Sequence, residues 1–331
     1  MMKYEIFKEV VSDKFMDYLP EQYRDMELVV NPVNKVNCTL DGINLIGGKD
    51  NRLVSPTVYI NDMYEHYKQH EDLQDVMQTA AEQMVRMFDR NVEMPQIDSG
   101  EAKDNIVFQF VNTEQNKELL AGVPHREFQD LSIIYRWVVK VDAEGVHSTV
   151  LKNELAGRLG FTEDQLFKLA MQNTRRMFPP CIKSMNEVLC DMMAQDGMPQ
   201  EIVELMLREM PADNLMYVIS NERGINGAIS MLYEDKLHTL AMEMESDLYI
   251  LPSSVHEVIA VSAGLGNPSE LAEMVSEVNM SEVTLEERRS NQVYHYDKDL
   301  RKLSLATDTP NKRLDGIVAE PPMVYETKQS R

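Results

Sequence analysis

Apolar residues recur at helical spacing in two N-terminal stretches of the chain. Between residues 71 and 89 they follow the i, i+3, i+4, i+7 rule, at Leu73, Val76, Met77, Ala80, Ala81, Met84, Val85 and Phe88. This spacing puts them on one face of an α-helix. Residues 3–19 show the same pattern, with Phe7, Val11, Phe15 and Tyr18 on one face. Both stretches therefore predict amphipathic helices that pack on a core.

Elsewhere the pattern changes to short extended segments rich in β-branched and aromatic residues. Residues 26–46 predict two strands, with a turn at Asp41-Gly42 within or after the second of them, and residues 57–60 predict a third extended piece. Residues 106–111 and 131–141 predict two more strands. Because strand pairs alternate with helices along the chain, we expect antiparallel pairing rather than a doubly wound parallel sheet.

Residues 214–262 predict the most compact unit of the chain. The segment begins with a strand, continues into an amphipathic helix over 222–246, and ends in two strands joined by a Pro-Ser-Ser turn. Helix starts are also signalled before and after it, by a capping box at Thr162 and Gln165 and by Asn267 ahead of Pro268. The sequence QVYHYDKDLRKLSLA predicts a last strand pair.

These elements predict an α+β fold in two modules, with antiparallel or mixed sheets flanked by amphipathic helices. We expect an N-terminal α+β module at 1–95 and a larger C-terminal α+β region at 105–305. Residues 91–104 are polar and contain Pro and Gly, which is typical of a linker. Residues 306–331 are expected to form a flexible tail.

The composition of the chain restricts the cellular compartment and the kinds of partner that we expect for it. The sequence of 331 residues is 43% hydrophobic and 27% charged, as in globular proteins. Neither a signal peptide nor an apolar run of roughly 20 residues is recognisable, so we expect no membrane insertion. Three cysteines are too few for a disulfide framework, which favours a reducing cytoplasm. The chain has 24 methionines, and those at helical spacing, such as Met77, Met84 and Met274, are expected to fill the core.

The net charge of −22 is unevenly spread along the chain: residues 186–250 contain 13 acidic and 3 basic residues, which gives this segment a net charge of −10. Binding to nucleic acid needs clustered Lys and Arg to neutralise phosphates, so nucleic acid is an improbable partner. The acidic segment predicts either a nucleic-acid mimic, a docking surface for a basic partner, or simply a solvated surface that aids solubility. The solvated surface is the favoured alternative.

Four residues around the 214–262 unit are candidates for binding a ligand. Asn221 and Arg223 follow the first strand, and Ser253 and His256 occupy the strand-to-strand turn. Arg223 can bind a carboxylate or phosphate, or it can pair with Glu222 or a nearby acid in a structural ion pair, which is the favoured alternative. Ser253, Ser254 and His256 lack a nucleophile elbow and an orienting acid on the same strand face, so a polar turn is favoured over a catalytic site.

Metal and phosphate sites have weaker support in the sequence. Asp62, His66 and His70 stand at i, i+4 and i+8, so a helix brings them roughly onto one face, where they form a weak candidate for zinc. The stretch AGLGNPSE at 263–270 has the position of a phosphate-binding loop but neither its third glycine nor a lysine. A solvated helix face and a capped turn are the favoured alternatives, and we predict no metal and no cofactor.

Three stretches carry a resemblance to a known family: FTEDQLFKLAMQNTRRMFP, MYVISNERGINGAISMLY with DLYILPSSVHEVIAV, and SNQVYHYDKDLRKL. They resemble domain-of-unknown-function family 5688, an uncharacterised family of anaerobic Firmicutes, over most of the chain. From about residue 106 the order of elements is distantly similar to the uncharacterised YtpQ-like family as well. Neither resemblance implies an activity or catalytic residues; both imply a cytosolic bacterial protein.

The candidate sites leave the class of function open between three hypotheses. We expect a non-catalytic cytosolic interaction or accessory protein with a protein partner, because no nucleophile, base and orienting group come together in the sequence. One alternative is a small-molecule-binding protein or enzyme whose pocket is built from distant residues. The other is an acidic inhibitor that mimics nucleic acid.

Overall fold

The computed structural model describes residues 1–47, 56–89, 99–142, 145–199, 202–203, 216–252, 254–308 and 314. The chain divides into two compact units, Met1–Gln96 and Ile97–Arg331. All the strand pairs described in both units are antiparallel, which confirms the α+β class with antiparallel sheets. None of the helices in these ranges is long and apolar enough to cross a membrane.

In its described residues, the first unit combines three α-helices and two 3-10 helices with a three-stranded sheet in the order β1-β2-β3. Its elements in chain order are α1 (Tyr4–Lys14), two short 3-10 helices (Phe15–Tyr18 and Glu21–Tyr23), β1 (Met26–Lys35), β2 (Cys38–Gly47), β3 (Val58–Tyr59), α2 (Ile60–His70) and α3 (Leu73–Asp89). The apolar faces predicted at the start of the chain are buried here. Phe7 and Val11 of α1 share one core with Met77 and Met84 of α3 and with Ile43 of the sheet.

The predicted turn at Asp41-Gly42 is wrong, because both residues lie inside β2. The chain turns instead between Lys35 and Cys38, where Asn37 adopts a left-handed φ of 64°. Gly42 serves close packing: a Cβ there would stand 2.7 Å from a methyl group of Thr57 and 2.8 Å from one of Val33. A glycine that permits strands to approach closely was thus mistaken for a turn residue.

The second unit contains two sheets and seven helices in the residues that the structure describes. Its helices are α4 (Ser99–Ala102), α5 (Lys117–Ala121), α6 (Asn153–Leu159), α7 (Glu163–Met177), α8 (Met185–Gln195), α9 (Glu234–Glu243) and α10 (Pro268–Ser281). Its strands are β4 (Ile106–Asn112), β5 (His125–Phe128), β6 (Leu131–Asp142), β7 (Gly145–Val150), β8 (Pro180–Ser184), β9 (Met216–Asn221), β10 (Leu248–Leu251), β11 (Val258–Ser262), β12 (Tyr294–Asp297) and β13 (Lys302–Leu305).

The two sheets of this unit share one apolar core. The four-stranded sheet runs β4-β6-β5 with β7 paired to β6, and the six-stranded sheet runs β13-β12-β10-β11-β9-β8. Phe108 and Tyr135 of the smaller sheet belong to the same buried cluster as Ile219, Ile250 and Tyr296 of the larger one. The larger sheet therefore presents one face to this core, while α10 packs on its opposite face around Leu251, Ala272, Val275 and Val293.

Both predicted helix caps are confirmed. Thr162 accepts a hydrogen bond from the Gln165 main chain while the Gln165 side chain accepts from the Thr162 main chain, which is the reciprocal capping box at the start of α7. The Asn267 side chain accepts from the Ser269 N–H at 2.9 Å and so caps α10. The last strand pair is also present, as β12 and β13.

The helix predicted over 222–246 is shorter than expected. A loop follows β9, a 3-10 helix spans Gly227–Leu232, and α9 begins only at Glu234. Asn226 has a left-handed φ of 53°, which a continuous helix does not allow. Most of the predicted linker and tail lies outside the described residues; Ser99–Ala102 of the linker form a helical turn.

Candidate functional site

The end of β9 and the start of β11 lie side by side in the six-stranded sheet of the second unit. Ile219 of β9 pairs with Val258 of β11 in an antiparallel ladder. The loop that leaves β9, residues 221–227, therefore meets the turn that enters β11. The structure brings the candidate residues Asn221 and His256 together here, and it places Arg223 on the same loop. Ser253 lies outside the described residues.

Asn221 holds this loop in shape with both ends of its side-chain amide. Its Oδ1 accepts a hydrogen bond from the Arg223 N–H at 3.0 Å, and its Nδ2 donates to the Ile225 carbonyl at 2.8 Å. The residue is buried, with 5% of its surface exposed. Both ends of its amide are thus bonded within the loop, and its role is to position the residues that follow.

Gly227 allows the loop to pack directly on the turn before β11. A Cβ at this position would stand 2.1 Å from Ser220 Oγ and 2.4 Å from the His256 carbonyl oxygen. The Ser220 hydroxyl itself donates to that carbonyl at 2.7 Å. Any side chain larger than hydrogen would therefore push the loop away from the turn.

The His256 ring joins the loop to a third segment of the chain. Its Nδ1 lies 3.1 Å from the Gly224 carbonyl oxygen, and its Nε2 lies 3.2 Å from Glu287 Oε1. The two partners are a carbonyl oxygen and a carboxylate oxygen, and both can only accept a hydrogen bond. A neutral ring therefore donates only one of these two bonds, whereas a protonated ring donates both. The imidazole thus connects the loop 221–227 with Glu287.

Glu287 accepts this hydrogen bond in its ionised, carboxylate form. The hydroxyl of Thr284 donates to its Oε2 at 2.9 Å. This bond lowers the pKa of Glu287, burial opposes the shift, and the hydrogen bond and charge of His256 lower it further. Glu287 therefore stays ionised and orients the ring.

The turn residue Ser254 is not placed as a nucleophile. Its hydroxyl accepts a hydrogen bond from the main-chain N–H of His256 at 3.0 Å, rather than facing the ring. Burial raises the pKa of the neighbouring Glu257, while the charge of His256 and a hydrogen bond with Ser254 act in the opposite direction. Ser254, His256 and Glu257 thus form a polar turn held by side-chain hydrogen bonds, and the residues of this turn precede β11 rather than belonging to a strand.

Arg223 is the one candidate whose side chain projects from the site without a partner in the described chain. The residue is exposed, and only its main-chain N–H is engaged, by Asn221. The guanidinium forms neither the expected ion pair with Glu222 nor any other ion pair within the described ranges. The site therefore presents one free positive charge on a loop that is held at several points.

The weaker candidates are used locally or lie apart. His66 and His70 are neighbours on α2, with ring centroids 4.8 Å apart, and His66 Nε2 is 3.9 Å from Asp75 rather than close to Asp62. In the part of the chain that the structure describes, no group of three or more His, Cys, Asp or Glu residues is arranged to hold a metal ion. At the glycine-containing loop, the cap residue Asn267 already accepts from the first turn of α10.

Sequence reasoning missed the residues that complete the site. Glu287 and Thr284 lie about 30 residues after His256, in a segment with no periodic pattern. Gly227 was read as part of a helix, although a glycine amid apolar residues is a signal for close backbone approach. That signal was present in the sequence, whereas the long-range pairing of His256 with Glu287 had none.

Comparison with known proteins gives a family and no activity. A family model described as a family of unknown function, DUF5688, matches residues 4–298. The chain therefore belongs to this family. A search of curated proteins found no match, and a search of solved structures found none either.

Proposed function

We propose that this member of the family is a non-catalytic interaction protein, and that the loop 221–227 binds a carboxylate of a partner protein through Arg223. The observation that carries the proposal is the exposed guanidinium of Arg223, which has no partner in the described chain and stands on a loop braced by Asn221, Gly227 and His256.

The geometry of the loop suits binding. A loop that is already ordered loses little conformational entropy when a partner binds, so more of the contact energy appears as affinity. Arginine presents parallel N–H groups that match both oxygens of a carboxylate. Because the chain carries a net charge of −22, a strongly acidic partner would be repelled at long range. The partner we propose therefore presents a carboxylate locally and is not acidic overall.

The nucleic-acid mimic receives less support from the described acids of 186–250. A mimic needs free carboxylates, but several of these are bonded within the protein. Those engaged are Glu187 with the Ser184 main chain, Asp191 with Lys183, Glu234 with Arg301, Asp235 with Arg175, and Asp247 with His295. We therefore favour the interaction protein over the mimic.

We also propose that the protein works in the cytosol of a bacterial cell. The proposal rests on the free thiols of Cys181 and Cys190, which suit a reducing compartment. It rests as well on the resemblance to bacterial families that the sequence carries.

The proposal is tested by capture experiments with matched charge variants. Tagged wild-type protein, Arg223→Ala and the control Lys236→Ala are each incubated with lysate of the source organism, and captured proteins are quantified by mass spectrometry. Loss of a charge-assisted hydrogen bond costs about 1.5–3 kcal/mol, so we expect capture of the partner by Arg223→Ala to fall about tenfold or more. Lys236→Ala removes the same charge elsewhere in 186–250 and should capture the partner like the wild type.

Melting temperatures separate binding from folding in this experiment. Since the Arg223 side chain is exposed and makes no hydrogen bond or ion pair with the described residues, Arg223→Ala should melt within about 1 °C of the wild type, as surface substitutions do. Unchanged capture together with a lowered melting temperature would refute the binding role and leave a structural one.

A further inference from the structure

A second arginine of the same unit is buried with half of its guanidinium unused. Arg289 lies in the segment 286–292 and is 1% exposed. Its Nη1 donates to the carbonyl oxygens of Glu286 and Arg288, both at 2.9 Å. Its Nε is buried and has no hydrogen-bond partner among the described residues. Its Nη2 forms no hydrogen bond with them either. The unused donors are therefore Nε and Nη2.

These two donors form one edge of the guanidinium plane. The N–H bonds of Nε and Nη2 point in parallel and are spaced like the two oxygens of a carboxylate or of a phosphoryl group. The hydrogen bonds of Nη1 to the main chain fix the plane and so fix the direction of this edge. The side chain is thus preorganised for bidentate binding of an oxyanion.

The charge of Arg289 is not balanced by an ion pair in the described chain. Burial lowers its pKa to about 9, the carboxylate of Glu287 opposes this shift, and the positive charge of Arg136 adds to it. Arg136 itself donates to Gln109 and Ser148, which are neutral. The two carboxylate oxygens of Glu287 are hydrogen-bonded to His256 and Thr284. Two guanidiniums therefore lie within electrostatic range of each other without a bonded anion from these residues.

We propose that the Nε–Nη2 edge of Arg289, assisted by the charge of Arg136, binds one small oxyanion, a carboxylate or a phosphoryl group, inside the second unit. A buried cation without a partner is strongly destabilising, and an anion on this edge removes that cost. Since Arg289 is almost fully enclosed, the anion enters during folding or local opening, and its exchange is slow. The site is independent of Arg223 and of the interaction proposed for that residue.

The experiment uses inorganic phosphate and acetate as separate probes, so that the two sources of the oxyanion are distinguished. The full chain is unfolded in urea, dialysed, and refolded with increasing amounts of either probe at constant ionic strength set with NaCl. We expect one probe to raise the melting temperature in a saturable way, because a ligand that binds only the folded state stabilises it. A matched surface control, Arg158→Met, should show the same rise with the same half-saturating concentration.

Two variants of Arg289 decide the assignment. In Arg289→Met the half-saturating concentration should increase by at least about tenfold, as expected when charge-assisted hydrogen bonds are lost. If this variant does not fold, Arg289→Lys keeps the charge but loses the bidentate edge, and it should weaken the same probe. The proposal is overturned if neither probe raises the wild-type melting temperature above the NaCl control. It is also overturned if the folded Arg289 variant responds like the wild type.

Discussion

The two units of this protein fill their interiors in different ways. In the first unit, Asn37 is the one buried polar residue among those described, and the core consists of apolar side chains from α1, α3 and the sheet. The second unit encloses a run of polar residues, 288–292, together with Asn112 and Ser132. A patterned apolar core tolerates changes that keep volume and hydrophobicity, whereas a buried polar network depends on each hydrogen-bond partner.

The polar interior of the second unit has a defined anchor. Asp130 follows β5 and accepts hydrogen bonds from the Ser290 hydroxyl, at 2.6 Å, and from the Tyr294 hydroxyl. The side chain of Asn112 at the end of β4 donates to the Arg289 carbonyl at 3.1 Å. These bonds connect the four-stranded sheet with the segment that leads into β12. The segment is therefore held by specific partners rather than by apolar area.

The largest expected effect concerns the apolar core of the first unit. Phe7 is fully buried and packs with the rings of Tyr64 and Tyr67 at centroid distances of 5.2 Å. Phe7→Ala leaves a cavity and should lower the free energy of unfolding of the first unit by about 3–5 kcal/mol. Urea unfolding followed by circular dichroism measures this loss. The adjacent Ile6 is 51% exposed, and Ile6→Ala should change stability by no more than about 0.5 kcal/mol.

Equal effects of the two substitutions would contradict the assignment of the core face of α1. An intermediate loss for Phe7→Ala, near 1 kcal/mol, would mean that neighbouring side chains collapse into the cavity.

Two tyrosines allow the same chemical change to be compared between the units. Tyr294 is fully buried and donates to Asp130, and burial raises its pKa well above the ordinary value of 10.0. Tyr4 is half-buried and donates to Asp41 at 2.7 Å. Tyr294→Phe should cost about 1.5–3 kcal/mol because it removes a charged hydrogen bond made by a fully buried hydroxyl. Tyr4→Phe should cost about 0.5–1 kcal/mol because its hydroxyl belongs to a residue that is only half-buried.

Urea unfolding measures both tyrosine variants. The fluorescence of Trp137, the single tryptophan, follows the second unit, and circular dichroism follows the first unit as well. Equal losses in the free energy of unfolding for the two variants would show that the hydrogen bond of Tyr294 stabilises the protein no more than the half-exposed hydrogen bond of Tyr4.

The same contrast explains what the sequence predicts. Apolar periodicity is a local property, so α3 and the last strand pair were predicted, and so was the capping box at Thr162. Met77 and Met84 are buried as expected, but Met274 is 52% exposed because α10 buries only the face of Ala272, Val275 and Asn279. Periodicity identifies an amphipathic helix more reliably than it identifies the edge of its buried face.

Tertiary pairing accounts for what was missed at the site. The stretch ERRSNQ is as polar as a surface loop, yet Arg289 and Ser290 are buried where they bond with Asn112 at the end of β4 and with Asp130. The pairing of the β9 end with the turn before β11 could be expected from the order of strands, and it brings Asn221 near His256. The contact of His256 with Glu287 depends on the path of a segment without periodicity, which sequence spacing does not determine.

The smallest expected effect concerns a charge pair on the surface of the second unit, and it should depend on pH. Glu234 accepts two hydrogen bonds of 2.7 Å from Arg301 and one of 2.6 Å from Tyr296. The bonds from Arg301, and then that from Tyr296, lower the pKa of Glu234 from 4.5 to about 2. Because the folded-state pKa lies below the unfolded value, the pair stabilises the protein above pH 4.5, and this contribution disappears as the pH falls towards 2.

The side chains of Glu234 and Arg301 are 42% and 52% exposed, so solvent screening should keep the contribution of this pair to the free energy of unfolding small. Urea unfolding of the wild type and of Glu234→Gln at pH 7 should show this small difference, and at pH 2.5 the difference should largely vanish. Glu273→Gln on the exposed side of α10 replaces a carboxylate without an ion pair in the described chain and should leave the wild-type pH profile unchanged. A difference for Glu234→Gln that stays constant from pH 7 to 2.5 would mean that the variant acts through packing around Tyr296 and not through charge.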